Sequence, residues 1–148
     1  MLLVKDVLKL IARKASLLDV ETCANLYLTC KWIHEDHIMK ENMVKWSNFF
    51  KDGLINQWIV DRYDGKIVID EYVMNKHRGG IFKNKHKIVK NEYKIYKVIE
   101  NITCSIILNH EYIHLDGGNH TIYSYDTAIT LNAPHTNIYN IIIKVCIK

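Results

Sequence analysis

Apolar residues recur at a helical period through the first part of this chain and at a period near two through the last part. Val4, Val7, Leu8 and Ile11 stand at i, i+3, i+4 and i+7, which predicts a helix with one apolar stripe. Asp19 stands ahead of Val20, Cys23, Leu26, Tyr27 and Cys30, predicting a second helix with Asp19 as its N-cap. A third helical run covers 35–50, with Ile38, Met43, Trp46 and Phe50 as its stripe and Asp52-Gly53 as its stop. Three short helices enclose little core among themselves. Some of their apolar surface is therefore expected to face another part of the chain or another protein.

One or two further helical turns are expected over 54–60. Asp64-Gly65 then predicts a tight turn into a strand over 66–70, where the period changes. This divides the chain into a helical module over 1–60 and a β-rich domain over 61–148. In the last third, Ile113, Leu115, Ile122 and Tyr123 recur sixteen residues later as Ile129, Leu131, Ile138 and Tyr139. Short strands separated by Asn, Gly, Asp and Thr turns predict a solenoid-like repeat over 112–148. In such a stack Ile113 would lie over Ile129, Leu115 over Leu131 and Ile122 over Ile138. The closing run 141–147 is almost wholly apolar and predicts an unprotected β edge through which the chain could associate with itself.

The helical stretch resembles the F-box, the module by which substrate receptors dock on the Skp-family adaptor of cullin–RING ubiquitin ligases. Leu2-Leu3, Asp6-Val7-Leu8, Ile11, Asp19-Val20, Leu26, Leu28, Cys30-Lys31-Trp32 and Trp46 carry the resemblance. The family's Leu-Pro opening is replaced by Leu3-Val4. The resemblance implies adaptor-binding roles for Leu2, Leu3, Val7, Leu8, Ile11, Leu26 and Trp32. The phrase Ile113-His114-Leu115-Asp116-Gly117 with His120-Thr121-Ile122 resembles the turns of right-handed parallel β-helices. F-box receptors with a β-helix substrate domain combine the same two modules. The expected fold is thus α+β, a three-helix F-box-like module followed by a small, truncated right-handed parallel β-helix-like domain. The expected function is a non-catalytic receptor that brings a protein substrate to the ligase.

Composition narrows the field. With 49% hydrophobic and 24% charged residues in 148, the chain is expected to fold as one ordinary domain or two small ones. Its excess of Ile, Asn, Lys and Tyr beside one proline fits the A+T-rich genomes of large DNA viruses. The net charge of +4 is too mild to imply nucleic acid by itself. Residues 76–97 hold eight Lys or Arg against Glu92 alone, interleaved with Phe82, Tyr93 and Tyr96. Lys83, Lys85, Lys87 and Lys90 are the candidate patch of a second reading, a basic module for phosphates or nucleic acid. A third reading is a decayed, non-functional paralogue.

Catalysis and cofactors are not expected. His34-Glu35-Asp36-His37 places its histidines at i and i+3, whereas the helical zinc motif needs i and i+4, so a solvated polar helix face is the reading. No cofactor or metal site is expected. Cys23, Cys30, Cys104 and Cys146 form no Cys-x-x-Cys pair and read as reduced thiols of a cytoplasmic protein. No apolar stretch approaches the ~18 to 20 residues that span a bilayer.

Overall fold

The computed structural model describes residues 4–28, 31–79 and 92–147, and of 77–79 the backbone alone. The chain is α+β, with helices first and parallel strands after them. It divides into two compact units, 1–48 and 49–148.

The first unit holds α1 (Val4–Ala15), α2 (Val20–Tyr27), α3 (Lys31–His34) and all but the end of α4 (His37–Phe50). Four helices form where three were expected, because the run after Cys30 breaks at Glu35-Asp36 and leaves α3 as a single turn. Asp19 caps α2 as its position predicts, accepting hydrogen bonds from the Thr22 amide (2.8 Å) and hydroxyl (2.9 Å). Asp36 does the same for α4 through the Met39 amide. The core joins Ala12, Ile33 and Met39, with Leu26, Tyr27 and Trp32 packed against it.

The second unit opens with β1 (Leu54–Ile55), α5 (Gln57–Arg62), β2 (Lys66–Ile69) and α6 (Glu71–Gly79). Thus 49–60, placed by sequence with the helices, lie in the strand unit. Phe49 rests edge-on against Phe50 and Tyr63, and β1 pairs with a later strand. Gly53 stops the helix as predicted, at a φ of 69°, and a Cβ there would collide with the Ile95 carbonyl. After the undescribed stretch come β3 (Lys94–Val98), β4 (Ile102–Thr103), β5 (Ser105–Leu108), β6 (Ile113–Asp116), β7 (Thr121–Ser124), β8 (Ile129–Leu131), β9 (Thr136–Tyr139) and β10 (Ile142–Val145).

Among the described residues every strand pairing is parallel. The sheets run β1-β3-β6-β9, β2-β5-β8 and β4-β7-β10, so from β3 onward each strand pairs with the one three places on. Parallel pairing is what the sequence predicted, but the sixteen-residue register is not observed. Leu115 lies beside Tyr96 and Ile138, nineteen residues back and twenty-three on. Ile113 pairs with Thr136 and Ile122 with Ile143, while Ile129 pairs with Ile106. Strands β6 and β8 share an Ile-x-Leu pattern because both alternate toward buried space. They belong to different sheets, so the recurrence joined strands two places apart, whereas paired strands are three places apart.

Burial follows the alternation. Ile67, Ile69, Tyr96, Val98, Ile106, Leu108, Ile113, Leu115 and Ile122 are fully buried. Equivalent turn positions stack their side chains: Tyr112 on His135 at 4.9 Å with nearly parallel rings, and the Asn132 side-chain amide donating to Asn109 Oδ1 at 2.6 Å.

Candidate functional site

Helix α1 is turned inside out. Its polar residues Asp6, Lys9 and Arg13, with Ser16 just beyond its end, follow one stripe and are half-buried or buried. Its apolar stripe faces water, with Val4 76%, Leu8 45% and Ile11 58% exposed and Val7 beside them. Ala12 is its one buried apolar side chain. A surface helix ordinarily does the reverse, since turning three or four aliphatic side chains outward forfeits about 1.5 to 3 kcal/mol each in unrealised burial.

A polar network holds the helix this way round. The Arg13 guanidinium donates to both Asp36 oxygens, from Nε at 2.9 Å and from a terminal nitrogen at 2.6 Å. The Asp36 side chain is almost wholly buried. Arg13's hydrogen bonds hold that carboxyl below the usual carboxylate range, against the opposing effect of burial, and the Met39 amide adds to the shift. One turn on, the Ser16 hydroxyl donates to the Arg13 carbonyl (2.6 Å) and accepts from the Asn42 amide (2.7 Å). The Trp46 indole donates to the Ser16 carbonyl at 2.9 Å. These links join α1 to α4 without spending its apolar face.

Of the residues the sequence singled out, Val7, Leu8 and Ile11 meet on this exposed stripe. Leu26 and Trp32 are half-buried against the helical core. Leu2 and Leu3 lie outside the described residues, as do Lys83, Lys85, Lys87 and Lys90 of the basic segment. Sequence reasoning did not pick out Leu10, Leu18 and Val44, which are also exposed. Leu10 and Val44 lie off the helical stripes that marked the others, and Leu18 lies beyond the end of α1.

The His34-Glu35-Asp36-His37 run separates into structural roles. His34 packs its ring on Tyr27 at 4.2 Å, Glu35 lies 3.9 Å from Lys31, and Asp36 is the buried partner of Arg13 rather than part of a solvated face. Among the described residues no group of three or more His, Cys, Asp or Glu is placed to hold a metal ion. Tyr96, one of the aromatics interleaved with the basic segment, is fully buried with its hydroxyl against the Met74 sulfur.

The second unit carries an open cleft of about 320 Å³ lined by Asp64, Thr103, Cys104, Ser105, Tyr123 and Asp126 among others. No cationic side chain lines it, and burial pushes the Cys104 thiol up to about 12. At neutral pH that sulfur stays protonated and is no nucleophile. Cys23, pushed up to about 11 by burial and by Asp19, is equally inert. Among the described residues no helix is long and apolar enough to cross a membrane. No family model, no curated protein and no solved structure matches this chain.

Proposed function

We propose that this chain is a non-catalytic substrate receptor of a cullin–RING ubiquitin ligase, docking on a Skp-family adaptor through the exposed stripe of α1. The observation that carries the reading is the inverted helix. A stripe of Val4, Val7, Leu8 and Ile11 kept in water by a dedicated polar network favours a partner that buries it. Leu26 and Trp32 support the stripe from behind by filling the core beneath it.

The second unit is, in this proposal, a short right-handed parallel β-helix that holds the protein to be modified. Its three-strand recurrence, layer steps of nineteen to twenty-three residues and stacked turn side chains support that reading. The mechanism is proximity. One unit grips the ligase, the other the substrate, and the ubiquitin carrier then acts at high effective concentration.

The test is capture of the full chain by purified adaptor. Burying the stripe supplies several kcal/mol toward a micromolar complex. The Leu8→Asp/Ile11→Asp double variant should lose at least ~100-fold in affinity, because two carboxylates would be desolvated without partners. Both positions are exposed, so the variant keeps its fold, checked by far-UV circular dichroism. Undiminished capture by the double variant rules the docking mode out. Binding that instead falls steeply with salt would favour the basic phosphate-binding reading.

A further inference from the structure

The cleft of the second unit comes from a mismatch between neighbouring turns. β2, β5 and β8 lie side by side, so the turns leading into them follow one another at ~4.8 Å intervals. Thr103 pairs with Tyr123 and Ile106 with Ile129, so the chain takes six steps from β7 into β8 where it takes three from β4 into β5. The surplus falls on Tyr125, Asp126 and Thr127, all exposed. On the other side of the short turn stand Asp64 and Gly65, both at positive φ. Thr103 and Ser105 lie between, and the cleft of about 320 Å³ opens over them. That volume lies at the lower end of pockets that hold small ligands, about 300 to 1,000 Å³.

The chemistry of the cleft is one-sided. Asp64 and Asp126 line it from the outer two of the three turns, roughly 10 Å apart along the sheet. Among the described residues neither carboxylate has an ion-pair or hydrogen-bond partner, and no cation lines the cleft. Tyr123 and Tyr125 add two rings. Between the carboxylates, the Thr103 and Ser105 hydroxyls have no hydrogen-bond partner among the described residues. Ser124 also lines the cleft and is 3% exposed. Its hydroxyl accepts from the Asp126 amide at 3.3 Å, and among the described residues its own proton has no acceptor.

These groups sort the ligands. An anion would be repelled by both carboxylates, and an apolar ligand would strip them of water without replacing it. A metal ion lacks its ligands, since among the described residues no three His, Cys, Asp or Glu come together to hold one. A basic peptide matches every group. Its ammonium or guanidinium ions meet Asp64 and Asp126 and lie against the tyrosine rings, and its carbonyls accept from the free hydroxyls. We infer that the cleft takes a basic segment of a partner protein, with two Lys or Arg side chains two residues apart in an extended chain. Such side chains leave the backbone on one face ~7 Å apart, and their stems reach the remaining distance. The whole chain carries +4, so a basic peptide finds no general attraction and depends on this local pair of carboxylates. The inference names the class of segment the second unit holds. It rests on that part of the proposed function and is independent of docking through α1.

Fluorescence anisotropy on the full chain tests it, with a labelled heptapeptide carrying lysines two residues apart among glycines and serines. Saturable binding at ~10 to 100 µM is expected. Asp64→Asn and Asp126→Asn should each weaken it ~5-fold, and together ~20-fold or more. Asparagine suits the positive φ at 64 and position 126 is exposed, so the variants keep the fold, checked by far-UV circular dichroism. Tyr125→Leu should weaken binding about 3-fold through the lost ring face. Glu111→Gln removes the same charge at an exposed position outside the cleft and should change nothing. Four results each overturn the inference: no saturation by ~1 mM, indifference to the double asparagine variant, equal binding of a peptide with glutamates for lysines, or tighter binding of maltotriose. Adaptor capture by the double variant should stay at the wild-type level. A chain that binds the peptide and not the adaptor sinks the docking reading and leaves this one standing.

Discussion

The two units solve the same packing problem in opposite ways. The second buries the alternate aliphatic side chains of its parallel strands, and one of its polar links, Asn109 to Asn132, lies at an exposed turn. The first buries Asp36, Ser16 and Asn42 in its interior and leaves the apolar stripe of its first helix in water. The difference teaches where spare apolar surface comes from. The strand unit exposes single apolar residues, such as Ile95 on the outer side of β3 and Leu131 on β8. A helix pinned by a buried ion pair and hydrogen bonds can expose a whole face along its length.

The largest expected effect breaks the stacked unit. Leu115 is fully buried between Tyr96 and Ile138, so Leu115→Asp should unfold the second unit, at a cost of about 4 kcal/mol or more. Leu131 points the same way but is half exposed, and Leu131→Asp should cost no more than about 1 to 2 kcal/mol. The sequence placed Leu131 against Leu115, whereas it pairs with Leu108 and is half exposed. Chemical denaturation of the two variants side by side settles it, and equal losses would mean that Leu131 is enclosed as Leu115 is.

Next comes the pin of the first unit. Arg13→Met keeps the aliphatic stem but strands the buried Asp36 carboxylate, which should cost about 3 kcal/mol. The pH dependence follows from the shift. Asp36 titrates lower when folded than unfolded, so its contribution is complete above about pH 4 and is lost as pH falls through the depressed folded value. In Arg13→Met the unpaired carboxyl gains from protonation instead. The gap in melting temperature between wild type and variant should therefore be widest at neutral pH and close in acid. A gap that stays constant from pH 7 to about pH 3 would show that Asp36 is not the group responsible.

These two tests mark where the sequence could be read and where it could not. Asp19 as a cap and Gly53 as a stop were legible because each depends on local chemistry, whereas parallel pairing was expected from a sixteen-residue recurrence whose register the strands do not adopt. The layer step was not legible. Turns of unequal length separate the strands, and an Ile-x-Leu pattern serves every sheet equally. The two-residue β1 carries too few positions to show any period. At the candidate site, the stripe of Val7, Leu8 and Ile11 was legible as a helix face, but its outward direction was not. That direction is set by Arg13 and Asp36, twenty-three positions apart, and Asp36 sits in a polar run that reads as solvated.

The smallest expected effect compares one kind of side chain in the two settings. Asn42 donates to Ser16 inside the first unit, and Asn132 donates to Asn109 at an exposed turn of the second, with bonds of 2.7 and 2.6 Å. The geometry is nearly the same, so geometry predicts equal losses on truncation to alanine. Solvation predicts otherwise. In Asn42→Ala the buried Ser16 hydroxyl loses a donor that no water replaces, at a cost of about 1 to 3 kcal/mol. In Asn132→Ala the amide left on Asn109 turns to water, and the loss should be about 0.5 kcal/mol or less. Equal losses in denaturant titrations of the two variants would mean that the Ser16 site admits water. The polar network would then be too weak to hold α1 with its apolar stripe outward, and the contrast between the two units would lose its physical basis.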